Sequence, residues 1–153
     1  AATTLVGQSF GAGRKDIARR LSNITVLIAT VIMTFLAILM YIFAPTIMGL
    51  LTSDGEVAAL GSKVLRIEAF AETLYAVSIV AYGVFVGAGD TLLPSILNFG
   101  SIWLIRIGLA LVLTPKYGLA GYWIAMCIEL NARGIIFFFR LRGDKWLKKK
   151  RLI

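Results

Sequence analysis

The chain has 153 residues, 59% of them hydrophobic, against about 45–50% for an ordinary soluble domain, and a net charge of +8. The lack of histidine excludes a histidine-based zinc site, a Ser-His-Asp triad and a histidine proton relay, and a single cysteine, Cys127, excludes an intrachain disulfide. The basic residues flank apolar runs, so they read as membrane orientation signals and not as a nucleic-acid footprint.

The first element is a stub over 1–13. It begins Ala-Ala-Thr-Thr-Leu-Val, without Met or a basic leader, and reads as a helix entered part-way, so a truncated chain is expected. Next comes a basic segment, 14–20, with Arg14, Lys15, Arg19 and Arg20. Four apolar runs follow, at 21–51, 64–86, 94–115 and 119–139. Each has about 20 residues or more, the length of a helix that crosses a hydrocarbon core of roughly 30 Å. In lipid such runs are helical, because a helix satisfies its own backbone. Pro45 predicts a kink or tilt in the first run. The link 52–62 holds Asp54 and Glu56, 87–93 holds Asp90, and 116–118 holds Lys116. From Arg140 onward, seven basic residues face one acid, Asp144.

The expected fold class is all-α: an integral membrane protein, a polytopic helix bundle of four full transmembrane helices after a partial one. Residues 1–139 form the transmembrane part and 140–153 a basic tail. The excess of Lys and Arg puts 14–20 and the tail in the cytoplasm, with 87–93 inside and 52–62 and 116–118 outside. The expected location is a plasma or inner membrane, multi-pass, with a cytoplasmic C-terminus. Tyr117, Tyr122 and Trp123 mark the outer interface, and the phenylalanines at 137–139 with Trp146 mark the inner one. The Lys-Lys-Lys-Arg run at 148–151 suits anionic lipid, or equally a stop-transfer signal. The lipid bilayer is the expected partner.

Two stretches resemble each other: Gly7-Gln-Ser-Phe-Gly11-Ala-Gly13 and Gly83-Val-Phe-Val-Gly87-Ala-Gly89. Gly-xxx-Gly lets helices approach closely, and the trailing glycine suits a left-handed closing turn. They read as a parallel repeat of a helix pair, or as chance and shared turn chemistry. The Val-Gly-Ala-Gly-Asp-Thr segment lacks the preceding strand and the Lys-Ser/Thr of a nucleotide loop.

Ionisable residues inside a membrane are costly unless paired or hydrated. Arg66, Glu68, Glu72, Arg106, Glu129 and Arg133 all fall inside the runs. At 1.5 Å per residue, Glu72, Arg106 and Glu129 lie about 21, 18 and 15 Å from the cytoplasmic helix ends, in the central part of the span. Arg66, near the outer end, can snorkel. Glu129 and Arg133 are spaced i,i+4 with the acid first, the favourable order, and Arg106 shares their depth. These three read as a structural charge network, with a conformational or proton role as the alternative. Glu68, Glu72, Tyr75 and Tyr82 share one helix face, with Ser78 beside it. An acid among tyrosines suits a small organic cation through charge and cation–π attraction. A desolvated carboxylate also exchanges protons. The alternative is that Glu72 pairs with a basic residue for assembly. No catalytic, metal or cofactor site is expected, and the chain does not read as an enzyme.

The segments "LVGQSFGAGRKDIARR", "LRIEAFAETLYAVSIVAYGVFVGAGDTLLP", "SIWLIRIGLALVL" and "YGLAGYWIAMCIELNARGIIFFFRLRGDKW" together resemble the multidrug and toxic compound extrusion (MATE) family. The resemblance implies twelve helices in two lobes, of which this chain is similar to the second from its eighth helix onward. The N-terminal lobe of the same chain is then an implied partner. It further implies export of organic cations or drugs in exchange for H+ or Na+ by alternating access. Glu72 is similar to the acid of the family's "AFAEP"-type segment, with Thr73 in place of Pro. Other branches carry an Asp one turn on, where Tyr75 stands, which leaves the coupling ion open. A lipid-linked oligosaccharide flippase of the same superfamily and a non-transporting structural subunit are the rival readings.

Overall fold

The computed structural model describes residues 1–143 and 145–147; Asp144 and the basic run at 148–151 lie outside the described residues. Among the described residues five helices follow one another: α1 (Ala2–Gly11), α2 (Lys15–Leu51), α3 (Gly55–Gly87), α4 (Leu92–Tyr117) and α5 (Leu119–Arg142). No strand occurs among the described residues. The chain is an all-α membrane helix bundle. Among the described residues three helices, α2, α3 and α4, are long and apolar enough to cross a membrane. The fourth expected span, α5, has 24 residues and carries Glu129, Asn131 and Arg133 in its middle turns.

Several helices extend past the apolar runs. α2 takes in most of the basic segment 14–20, because Lys and Arg form helix well once a helix is nucleated nearby. The expected link 52–62 shrinks to 52–54. There the Asp54 side chain accepts the N–H groups of Glu56 (2.9 Å) and Val57 (3.2 Å) and starts α3 nine residues before the apolar run. Pro94 sits in the first turn of α4, where its missing N–H leaves no helix bond unmade. Gly118 alone joins α4 to α5, at φ +60°, a left-handed conformation that suits glycine.

Pro45 lies inside α2 without ending it. Proline has no N–H to give the carbonyl of Tyr41, four residues back. Arg66 of α3 supplies a donor instead: its Nε reaches that carbonyl at 3.4 Å, and its guanidinium lies 5.5 Å from the centre of the Tyr41 ring. Arg66, expected to snorkel, thus also ties α3 to the proline step in α2.

α3 is the central helix. Of its most apolar stretch 44% is buried, against 11% in α2 and 6% in α4. It packs on α1, α2 and α5, while α4 packs chiefly along α5. Close approach depends on glycine: Gly134 of α5 lies against the Leu74 backbone of α3, Gly121 against Leu113 of α4, and Gly87 against Thr3 of α1. The two similar glycine stretches fold into one closing turn each, with the same bonds. Arg14 N–H meets Ser9 O at 2.9 Å, and Asp90 N–H meets Phe85 O at 2.8 Å. Gly13 and Gly89 have φ of +72° and +79°. Gly7 and Gly87 face each other across α1 and α3.

At that end Trp146 is buried, its ring centre 6.1 Å from Phe10 and 6.3 Å from Phe85. Its Nε1–H donates to the Leu141 carbonyl at 2.9 Å. Trp146 and Phe137 were expected at the inner interface; both belong to the core instead, because α1 and α3 leave an aromatic-sized space that they fill. Arg140 pairs with the buried Asp90 beside them.

Substituting Gly134→Ala in the full-length protein is expected to cost about 1–3 kcal/mol, the range for overpacking a tight contact. Gly49→Ala, where an added Cβ meets nothing within 4 Å, is expected to leave stability unchanged. Thermal unfolding in detergent, followed by size-exclusion chromatography, checks both.

Candidate functional site

The middle of the bundle holds one fully buried acid, Glu129 of α5. A carboxylate without water has to be hydrogen-bonded and paired. Glu129 has four donors around it. Arg106 reaches Oε2 with Nη2 at 2.6 Å and Nε at 3.2 Å. Ser101 donates its hydroxyl to Oε1 at 2.6 Å. Arg133, one turn along α5, brings Nε to 3.2 Å from Oε1, an ion pair whose angle falls short of a hydrogen bond. Arg133 also donates through Nη1 to the Asn98 side chain of α4.

Backbone geometry explains how α4 delivers two of these donors. Residues five apart on an α-helix point about 140° away from each other at 3.6 residues per turn. Over Ser101–Ile107, however, α4 is π-helical. The i→i+5 pattern brings Ser101 and Arg106 toward one side, facing the same carboxylate. The structure thus brings Arg106, Glu129 and Arg133 together and adds Ser101 and Asn98, which sequence reasoning missed. Gly100 and Gly108, one on each side of the π segment, were the available signal.

The expected face of α3 divides in two. Tyr75, Ser78 and Tyr82 line a cavity of about 180 Å³ with Asn98 and Arg133. The guanidinium of Arg133 lies 5.8 Å from the centre of the Tyr75 ring. Tyr75 was expected to offer its ring to an organic cation; the chain's own arginine is already there. Ser78 donates to the Tyr75 carbonyl at 2.8 Å, and the Tyr82 hydroxyl meets Ser95 at 3.3 Å.

Glu68 and Glu72 form the other part. Both are half-buried. Glu72 has no hydrogen bond or ion pair among the described residues. One oxygen of Glu68 is buried without a hydrogen-bond partner among the described residues. Its carboxylate lies in the fields of Glu72, one turn on, and of Arg106 from α4. Among the described residues no basic side chain pairs with Glu72, so the described helices do not supply the assembly partner considered for it. Chemically the two sets differ. Glu129 has both oxygens engaged, whereas Glu68 and Glu72 retain acceptor capacity for a proton, a metal cation or an organic cation.

The MatE family model matches residues 1–112. The chain belongs to the MatE family. It is 26% identical over 151 residues to a probable multidrug resistance protein NorM of Thermotoga maritima, covering 97% of this chain and 32% of that protein. It is 28% identical over 156 residues to the multidrug resistance protein MdtK of Yersinia enterocolitica, covering 98% of this chain and 34% of that one. A probable NorM of Chromobacterium violaceum is 27% identical over 142 residues, covering 89% of this chain and 30% of its own length. The MatE chain described here therefore spans about a third of the length of these relatives.

Glu129→Gln in the full-length MatE protein is expected to lower stability strongly, since it leaves two guanidinium groups facing a neutral side chain. Breaking a buried pair costs about 3–5 kcal/mol in soluble proteins. Glu68→Gln, whose carboxylate is less engaged, is expected to change stability far less. Thermal midpoints of the two variants in detergent are the comparison.

Proposed function

We propose that this chain is part of a secondary active transporter that exports organic cations in exchange for H+ or Na+ by alternating access. The observation that carries the reading is Glu72: a carboxylate in the middle of the central helix, half-buried, one turn from Glu68, and with no partner among the described residues. An intramembrane acid without a partner is costly, so it reads as a site for a mobile cation. Membership of the MatE family and relatives named as multidrug resistance proteins support export as the direction of use.

In this reading α5 is a fourth span and the basic ends are cytoplasmic. Arg14, Lys15, Arg19 and Arg20 open α2, and Arg140 and Arg142 close α5. The membrane is then a plasma or inner membrane, and the remainder of the two-lobed protein supplies the other wall of the substrate path. Tyr82 and Glu68 border the path, while Arg106, Glu129 and Arg133 hold α4 on α5. A flippase of anionic lipid-linked sugars would use free basic groups on the cavity; Arg133 is instead tied to Glu129 and Asn98.

Glu72→Gln in the full-length protein is expected to keep membrane abundance and to lose most active efflux, while Glu72→Asp retains part of it. Efflux against separately imposed proton and sodium gradients, normalised to protein in the membrane, measures this. Parental pumping by Glu72→Gln would remove Glu72 as coupling site and leave the structural-subunit reading of this helix standing.

A further inference from the structure

α4 contains one residue more than its contacts with Glu129 require. Ser101 reaches the Glu129 carboxylate at 2.6 Å, and Arg106 reaches it at 2.6 and 3.2 Å. The two are five apart, and the π-helical stretch Ser101–Ile107 turns them to one side. With one residue fewer between them they would be four apart. Residues four apart on an ordinary α-helix differ by about 40°, so the same two donors would face the same carboxylate with no π segment. The network therefore explains the side on which Ser101 and Arg106 lie, but not the extra residue. π segments are rare and concentrate at functional sites.

An extra residue in a helix is stored rotation. If Ser101–Ile107 takes up α-helical bonding, the parts on either side turn by about 100° and shift by about 1.5 Å relative to each other, one residue's share of an α-helix. Gly100 and Gly108 stand at the two ends of the segment, and an added Cβ at either meets nothing within 4 Å among the described residues. Neither serves close packing against the described helices; each leaves the backbone freer at its joint. The two parts are held unequally. Gly108–Tyr117 is fixed to α5: Gly121 lies against the Leu113 backbone, and Arg106, just before it, is bonded to Glu129 through two N–H groups. Leu92–Gly100 is tied through single side-chain bonds, Asn98 to Arg133 and Ser95 to Tyr82.

We propose that α4 is a register switch: the π segment lets Leu92–Gly100 turn about the helix axis, taking Ser101 off Glu129 and Asn98 off Arg133 while Arg106 stays in place. The turn removes Asn98 from the cavity that it lines with Tyr75, Tyr82 and Arg133. The use of this motion in transport rests on the function proposed above. The motion itself is read without a gradient, so the two can fail separately.

Deletion of Leu104 is the test. Leu104 is 80% exposed, so its loss takes no side chain from among the described helices. In the full-length protein the deletion is expected to leave the thermal midpoint in detergent at or above that of the parent and to slow efflux at least tenfold. Deletion of Leu111, which is 73% exposed but lies in α-helical backbone without slack, is expected to unfold the protein. Pulsed electron spin resonance, with labels on Ile96 and Ile135 in a background without other cysteines, reads the motion directly. The parent is expected to show two distances that differ by up to about 8 Å, the chord of such a turn at a helix radius of about 5–6 Å, and the Leu104 deletion only one. Parental efflux with parental stability in the Leu104 deletion overturns the proposal. Unfolding by that deletion as severe as with Leu111 overturns it too, since no residue would then be spare, and so does a single distance in the parent. A parent that does not pump would remove the transport reading, and the two distances would still decide the switch.

Discussion

One carboxylate, that of Glu129, decides how α4 joins the bundle. α4 is largely exposed along its length and packs chiefly on α5, not on the central helix. Apolar side chains on α4 gain little by leaving lipid for protein, because lipid tails are as apolar as they are. What distinguishes its seated position is polar: Ser101 and Arg106 on Glu129, and Asn98 on Arg133. In hydrocarbon each of these groups is costly alone and satisfied together. The π segment follows from that demand, since an ordinary helix would turn either Ser101 or Arg106 away.

The consequence is a division of labour among acids. Both oxygens of Glu129 are engaged by donors from α4 and α5. Glu68 and Glu72, on the neighbouring helix, are left with open acceptor positions. Arg106 touches both sets: it is bonded to Glu129 and its charge acts on Glu68. A cation arriving at Glu68 or Glu72 would therefore meet the field of an arginine already fixed by the paired set. In the exchange proposed above, that opposing field would weaken binding of the cation and help its release.

Much of this was legible in the residues. The apolar runs located the helices, because lipid forces backbone self-satisfaction. The i,i+4 spacing of Glu129 and Arg133 and the depth of Arg106 located the three charges that meet. The repeated glycine stretches foretold two identical closing turns. Other features were hidden for physical reasons. Helix ends in the polar zone leave no hydropathy edge, so α3 starts at the Asp54 cap and not at Val64. The π segment changes the angular register of α4, which periodicity at 3.6 residues cannot show. Trp146 looked like an interfacial anchor, and only the gap among Phe10, Phe85 and Phe137 reveals that it is core. The Arg133–Tyr75 contact depends on how α3 and α5 close on Gly134, a packing fact that the α3 sequence alone does not contain.

The coupling between Arg106 and Glu129 tests the central claim most directly. A double-mutant cycle of Arg106→Gln, Glu129→Gln and the pair in the full-length protein, read as unfolding free energy in detergent, isolates it. If the carboxylate pins α4 through this arginine, the two losses are strongly non-additive, with an interaction energy of about 1–3 kcal/mol, and the pair is little worse than Glu129→Gln alone. Additive losses, with an interaction energy near zero, would contradict it and return the seating of α4 to apolar packing.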